Sequence, residues 1–307
     1  MQRFIIRTLA AAVVIAACAT SVSAATVAGP SDDEELVPTG KGWGQRPSPH
    51  AGKGGGPPSG PNGIAYHGGP LILGTPNIYY IWYGNWDGND ATTILTDLAK
   101  GIGGSSYFKI NTTYFDGSNT HVSGSVNYAG STAPGYSHGT ALSDSNIQQI
   151  VSEAINSNSL PKDTKGVYFV LTSADVNATS GFCTQYCGWH THGTITGSDI
   201  KYAFIGNPDR CPSACEAQTI GPNGNAGADG MASIIAHELE EAVTDPDLNA
   251  WYDRRGYENA DKCAWTFGAT LTASNGAKYN VTFAPRNYLI QQNWVNDSGG
   301  YCAKAYP

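Results

Sequence analysis

The chain has 307 residues and a formal net charge of −8, with 14% charged residues, 38 glycines, 17 tyrosines and 7 tryptophans. A negative balance without clustered Lys and Arg excludes a nucleic-acid partner. The length suits one large domain or two small ones, and the charge-poor, glycine- and aromatic-rich composition points to a loop-rich extracellular protein.

The N-terminus carries Arg3 and Arg7, an apolar run over residues 9–17, and then Val22-Ser23-Ala24. This order predicts an export signal over 1–24, cut after Ala24. The apolar run is far short of the ~20 residues that cross a bilayer, and no later segment approaches that length, so no membrane span is expected. Cys18, after Ile15-Ala16-Ala17, offers the alternative of a lipid-bearing cysteine. Residues 25–63 hold an acidic run (Asp32, Asp33, Glu34, Glu35) and a Gly/Pro tract from Gly52 to Pro61. So few apolar groups cannot offset the entropy of ordering, which predicts a flexible linker or pro-segment. The ordered domain is expected over 64–307.

Within it, residues 77–83 are β-branched and aromatic and predict a buried strand. Residues 89–102 repeat apolar side chains at Ile94, Leu95, Leu98 and Ile102, a helical spacing. Thr, Tyr and Val with glycine breaks predict strands and turns over 111–128. A second helix is expected over 143–156, with Ser143 as its cap and Ile147, Ile150, Val151 and Ile155 on one face. The continuous apolar run 165–171 predicts a central strand, and 202–205 a short one. A third helix is expected over 229–243, with Asp229 as cap and an end before Pro246. Strands are expected at 279–283 and 288–292. The order predicts a mixed α/β domain.

Without Cys18, six cysteines remain: Cys183, Cys187, Cys211, Cys215, Cys263 and Cys302. An even number in an exported chain predicts up to three disulfides. The two C-x3-C elements staple one excursion, to each other or internally, and Cys263 with Cys302 ties down the C-terminus. A four-cysteine zinc site is the rival reading of the C-x3-C pairs.

The chemistry is concentrated in the third helix. His237 and Glu241 stand four residues apart and project from one side, with Glu238 about 100° further round. An imidazole and a carboxylate at that spacing can grip one divalent metal, zinc first among them, while Glu238 reaches a water held there as general base. This is the logic of the H-E-x-x-H zinc-protease helix, with Glu241 in place of the second histidine. The arrangement resembles the thermolysin-like group, in which a later Glu completes the ligands and an acid after it orients the histidine. Glu258 and Asp261 take those roles here, with Asp245 and Asp247 as rivals. His190 and His192 alternate on an extended segment and read as packing or surface display, and His67 as a loop hydrogen-bonder. The zincin-like expectation is therefore a mixed sheet, an H-E-x-x-E helix and a disulfide-stapled insertion, acting on a peptide or cell-wall substrate.

Several runs carry a further likeness: Tyr66-His-Gly-Gly-Pro70, Ile78-Tyr-Tyr-Ile-Trp-Tyr-Gly-Asn-Trp86, Tyr168-Phe-Val-Leu-Thr-Ser-Ala-Asp-Val176, Phe182-Cys-Thr-Gln-Tyr-Cys-Gly-Trp-His190, Asp229 through Glu241, Asn249-Ala-Trp-Tyr252 and Glu258-Asn-Ala-Asp-Lys-Cys263. From about residue 64 onward the chain resembles the phosphate-induced protein 1, or EXORDIUM, family. The resemblance implies an exported, cell-wall or apoplastic protein without an agreed biochemical activity. His237, Glu238, Glu241, Glu258 and Asp261 fall on the family's recurrent His-Glu-Leu-x-Glu and Glu-x-x-Asp-x-Cys segments. A non-catalytic signalling or wall-binding protein is the alternative to the hydrolase, with Trp82, Trp86, Trp189 and Trp251 as candidate sugar-stacking rings.

Overall fold

Strand β1 (Asn77–Tyr83), with every residue from Ile78 to Tyr83 buried, anchors the computed structural model, which describes residues 63–307. The export signal over 1–24, Cys18 and the linker expected at 25–63 lie outside this range, Gly63 excepted. Four more strands complete the main sheet: β2 (Asn127–Gly135), β3 (Gly166–Thr172), β4 (Gly188–Ile195) and β5 (Ser198–Ile205), in the spatial order β2-β1-β3-β5-β4. All neighbours are parallel except β4, which folds back on β5 as an antiparallel edge. The apolar run at 165–171 thus becomes the middle strand, as a strand covered on both faces should.

The two large helices of the N-terminal half follow their apolar spacing. Helix α1 (Ala91–Ile102) buries Ile94, Leu95, Leu98 and Ile102. Helix α2 (Asp144–Asn156) is capped by Ser143, whose hydroxyl accepts from the Asn146 N–H while the Asn146 side chain accepts from the Ser143 N–H. A short helix, α3 (Pro212–Cys215), precedes the long helix α4 (Ala226–Thr244). Helix α4 starts earlier than its apolar pattern predicts, because Asn225 and not Asp229 is the cap: Asn225 Oδ1 accepts from Ala228 N at 2.9 Å. Asp229 instead takes two donations from Asn223, and burial pushes its carboxyl up to about 6.

Gly188 and Gly193 show how the helices flank the edge strand. A β-carbon on Gly188 would fall 2.6 Å from Ile234 of α4, and one on Gly193 would fall 2.3 Å from Gln148 of α2. An odd separation on one strand means opposite faces, so α2 and α4 cover the two sides of β4.

Two regions depart from the expected strands. Over 108–113 the chain winds into a 3₁₀ turn, because Asn111, Thr112 and Thr113 bond back to the carbonyls of Phe108, Lys109 and Ile110 and so compete with a ladder. Near the C-terminus the pairs are Val281–Phe283 with Arg286–Tyr288 and Asn293–Val295 with Tyr301–Ala303. The stretch 289–292 is no strand: side chains take its backbone N–H groups, Asn280 Oδ1 from Ile290 and Ser233 Oγ from Gln291.

The six described cysteines form Cys183–Cys211, Cys187–Cys215 and Cys263–Cys302. The two C-x3-C elements therefore staple to each other, which removes the four-cysteine zinc reading. No described helix is long and apolar enough to cross a membrane. Trp82, Trp189 and Trp251 are buried in the core, which takes them out of any sugar-stacking surface.

Candidate metal centre

Helix α4 is buried on nearly every side, Gly227 through Thr244 with the single exception of Gly230. A helix covered all round must come from the interior of the domain, yet this one carries His237, Glu238, Glu240 and Glu241, none more than 1% exposed. These are residue types that proteins rarely bury without a partner.

Two other elements close on the same helix face. Gly188 lets β4 lie against Ile234, and His190, two residues on, shares that face and arrives beside the carboxylates. The loop after the helix supplies Glu258 and Asp261. It is held by Asn259, whose side chain donates to the Glu240 carbonyl at 3.2 Å, and by the Cys263–Cys302 bridge just beyond. The Asp261 N–H donates to Glu241 Oε1 at 2.9 Å.

The resulting geometry is compact. His237 Nε2 lies 3.0 Å from Glu241 Oε1 and 3.6 Å from Asp261 Oδ1. His190 Nε2 lies 3.2 Å from Glu258 Oε2 and 3.9 Å from Glu241 Oε2. Ligand atoms of His237, Glu241 and Asp261 fall within 4.8 Å of one another, as do those of His190, Glu238 and Glu241. Burial, with the neighbouring His237, pushes the His190 imidazole down to about 3, so that ring is neutral and able to ligate.

Of the residues expected at the site, His237 and Glu241 meet as the helical spacing requires. Glu258 reaches the cluster but approaches His190. Asp261 was expected behind the histidine as its orienter. Its Oδ1 instead faces the same ring nitrogen as Glu241, the side on which a ligand stands. His190, read from the sequence as packing or display, is a member of the cluster. Its signal was the alternation with His192 two residues after Gly188, the glycine that a strand pressed on a helix needs.

The rivals have partners of their own. Asp245 caps the end of α4, accepting from Asn249 N and Ala250 N, and its carboxyl, pushed up to about 7 by burial, also hydrogen-bonds the Glu258 side chain at the edge of the cluster. Asp247 pairs with Lys201 at 3.0 Å and with His192 at 3.7 Å, and Asp199 joins both. That second group carries its own cation in Lys201 and needs no metal. His67 Nε2 donates to the Tyr252 carbonyl, 3.1 Å away, and the ring stacks on the Tyr252 ring.

The conserved region of phosphate-induced protein 1 matches residues 64–304. The chain belongs to the phosphate-induced protein 1 family. Within the family, Arabidopsis thaliana protein EXORDIUM-like 5 is 36% identical over 273 residues, covering 75% of each chain. Protein EXORDIUM-like 3 of the same plant is 33% identical over 270 residues, covering 75% of this chain and 80% of its own. Protein PHOSPHATE-INDUCED 1 of Nicotiana tabacum is 27% identical over 273 residues, covering 74% of this chain and 83% of its own. None of these phosphate-induced or EXORDIUM names describes a peptidase. No solved structure matches the chain.

Proposed function

We propose that the chain is an exported extracellular protein of the EXORDIUM type, in which a divalent metal, zinc for preference, pins the α4 helix to the edge strand and the 258–261 loop without catalysing a reaction. Three disulfides suit an oxidising compartment. The observation that carries the reading is burial: His190, His237, Glu238, Glu241, Glu258 and Asp261 are each 6% exposed or less. A buried carboxylate must be neutralised, by a proton or by a cation, and here imidazole and carboxylate atoms within 4.8 Å of one another offer a cation its ligands. A centre enclosed by protein ligands is the structural kind, whereas a catalytic one keeps a position open.

Elemental analysis of the purified protein, with and without chelator, tests this. Bound metal near stoichiometry is expected, and its removal should lower the melting temperature. A ligand present at a hundred times its Kd stabilises by about 2.7 kcal/mol. Metal-free protein with an unchanged melting temperature would sink the reading.

A second reading, a zincin-like hydrolase acting on a peptide or cell-wall substrate, draws on one observation. Glu238, directly after His237, offers a carboxylate oxygen within 4.8 Å of ligand atoms on His190 and Glu241, where a general base would stand. It requires that the buried centre open to water, and a protease assay run with and without chelator decides it.

A further inference from the structure

Four Asn-x-Ser/Thr sequences occur in the chain, all beyond residue 63: Asn111-Thr-Thr, Asn177-Ala-Thr, Asn280-Val-Thr and Asn296-Asp-Ser. In an exported protein this tripeptide is the acceptor of an N-linked oligosaccharide, a bulky hydrophilic group that must stand in solvent. An asparagine side chain has two N–H bonds, and the sugar takes the place of one. A folded acceptor therefore needs an N–H that nothing else uses, with open space in front of it.

Three of the four fail on those terms. Asn111 is 0% exposed and donates to the Phe108 carbonyl at 3.1 Å from inside the 3₁₀ turn. Asn296 is 8% exposed and donates to the Thr113 carbonyl at 3.2 Å. Asn280 is only half-buried, but both its N–H bonds are engaged, with the carbonyls of Phe267 at 2.8 Å and Ile290 at 2.6 Å. Its Oδ1 also accepts from Ile290 N, so a sugar there would undo the bonds that hold 289–292. A glycan at any of these positions costs native hydrogen bonds and the packing around them.

Asn177 differs. It lies in a two-residue strand, Asn177–Ala178, which runs parallel to Ala141–Leu142 shortly after β3. Side chains alternate across a strand, so the acceptor asparagine and its threonine, at i and i+2, share one face. Ala178 between them is 1% exposed, which turns Asn177 and the exposed Thr179 outward. The Asn177 side-chain amide makes no hydrogen bond among the described residues. Its backbone N–H donates to the Thr140 carbonyl at 2.8 Å, a bond that a modified side chain leaves in place. We propose that Asn177 is the one N-glycan acceptor that the folded chain accommodates. Transfer breaks the bond between sugar C1 and the diphosphate of a lipid-linked oligosaccharide and joins C1 to Nδ2. The displaced amide proton leaves with the lipid diphosphate. In the folded chain the Thr179 hydroxyl donates to the Leu142 carbonyl at 3.1 Å, so transfer belongs to the emerging chain, and folding selects among the products. The inference rests on the reading that the chain is exported, through a compartment that holds such a donor.

The test is a site map. The full chain is expressed in a yeast secretory host, and soluble protein from the medium is treated with peptide N-glycosidase in heavy-oxygen water. The enzyme leaves a labelled aspartate wherever an asparagine carried a sugar. Label is expected at Asn177 and at no other position. The enzyme should shift the mobility of the wild type and leave that of Asn177→Gln and of Thr179→Ala unchanged. Unlabelled Asn177 in the secreted wild type overturns the acceptor and leaves the export reading standing. Label at Asn111, Asn280 or Asn296 in the same soluble protein overturns the claim that the fold excludes them. A chain found only in the cytosol, without sugar, overturns export and acceptor together. Should neither variant be secreted, the map of the wild type decides.

Discussion

His190 and Glu258, separated by 68 positions in the chain, meet at 3.2 Å between Nε2 and Oε2, with neither side chain more than 2% exposed. The contact joins the antiparallel edge of the sheet to the loop that follows α4, two segments with no local reason to be neighbours. A metal seated there would tie the disulfide-stapled excursion, the long helix and the C-terminal region at one point. Its effect on stability should exceed what any single ligand contributes.

Substitutions on α4 separate a structural centre from a catalytic one. Glu238→Gln preserves shape and removes a base. A structural metal predicts that this variant keeps its zinc, its melting temperature and its behaviour in every assay. A hydrolase predicts retained metal with activity down ~10²–10⁴-fold, the usual cost of losing a general base. His237→Ala should lose the metal under either reading. A protease assay and metal analysis on the two variants give the answer.

The cysteines offer a test that does not involve the metal. Thiol labelling of denatured, unreduced secreted protein should find none of the six free. Reduction should cost ~2–5 kcal/mol for each bridge removed, seen as a shift in the denaturant midpoint. Two or more reactive thiols before reduction would contradict the three bridges, and mapping the label to Cys183, Cys187, Cys211 or Cys215 would contradict the pairing of the two C-x3-C elements.

At the start of α2, Ser143→Ala deletes the hydroxyl that accepts from the Asn146 N–H. The loss should be about 1 kcal/mol, within the ~0.5–2 kcal/mol range for such caps. Ser143→Asp should restore most of it, since a carboxylate accepts the same bond and suits the helix N-terminus. Equal stability of wild type and Ser143→Ala in urea melts would show that the cap contributes nothing.

Asp229 predicts a pH dependence of defined sign. Burial raises its pKa from 3.8 to about 6. Between those values the folded chain keeps a proton that the unfolded chain has lost, so this group's contribution to stability is fully present below about pH 4. It declines as pH rises to about 6, by roughly 3 kcal/mol, and is flat above. Asp229→Asn should remove the decline. The stability difference between wild type and variant, from melts at pH 4 and pH 7, should move against the wild type by that order. A constant difference across the range would show that Asp229 titrates normally.

Much of the local structure was legible in the residues themselves. The apolar run that became β3, the 3.6-residue spacing in α1 and α2, and the Ser143 cap each express a preference that neighbouring side chains and backbone decide among themselves. So does the meeting of His237 with Glu241, which a helical turn imposes on any pair four apart. Composition and the even cysteine count pointed to export and to disulfides. The end of α4 before Pro246 was legible, but where α4 starts and the late strands fall was not, because Asn225, Asn280 and Ser233 take backbone N–H groups through side chains that no periodicity reveals. The choice among cysteine pairings, the arrival of His190, and the turning of Asp261 toward the ligand side of His237 were decided only by the fold. Each depends on segments far apart in sequence being pressed together by burial: β4 against α4 at Gly188 and Ile234, and the 258–263 loop under its disulfide. The helix alone determined that a histidine and a carboxylate would face the same way. The tertiary structure determined which further carboxylates, from a strand-facing turn of the helix and a distant loop, would be sealed in with them.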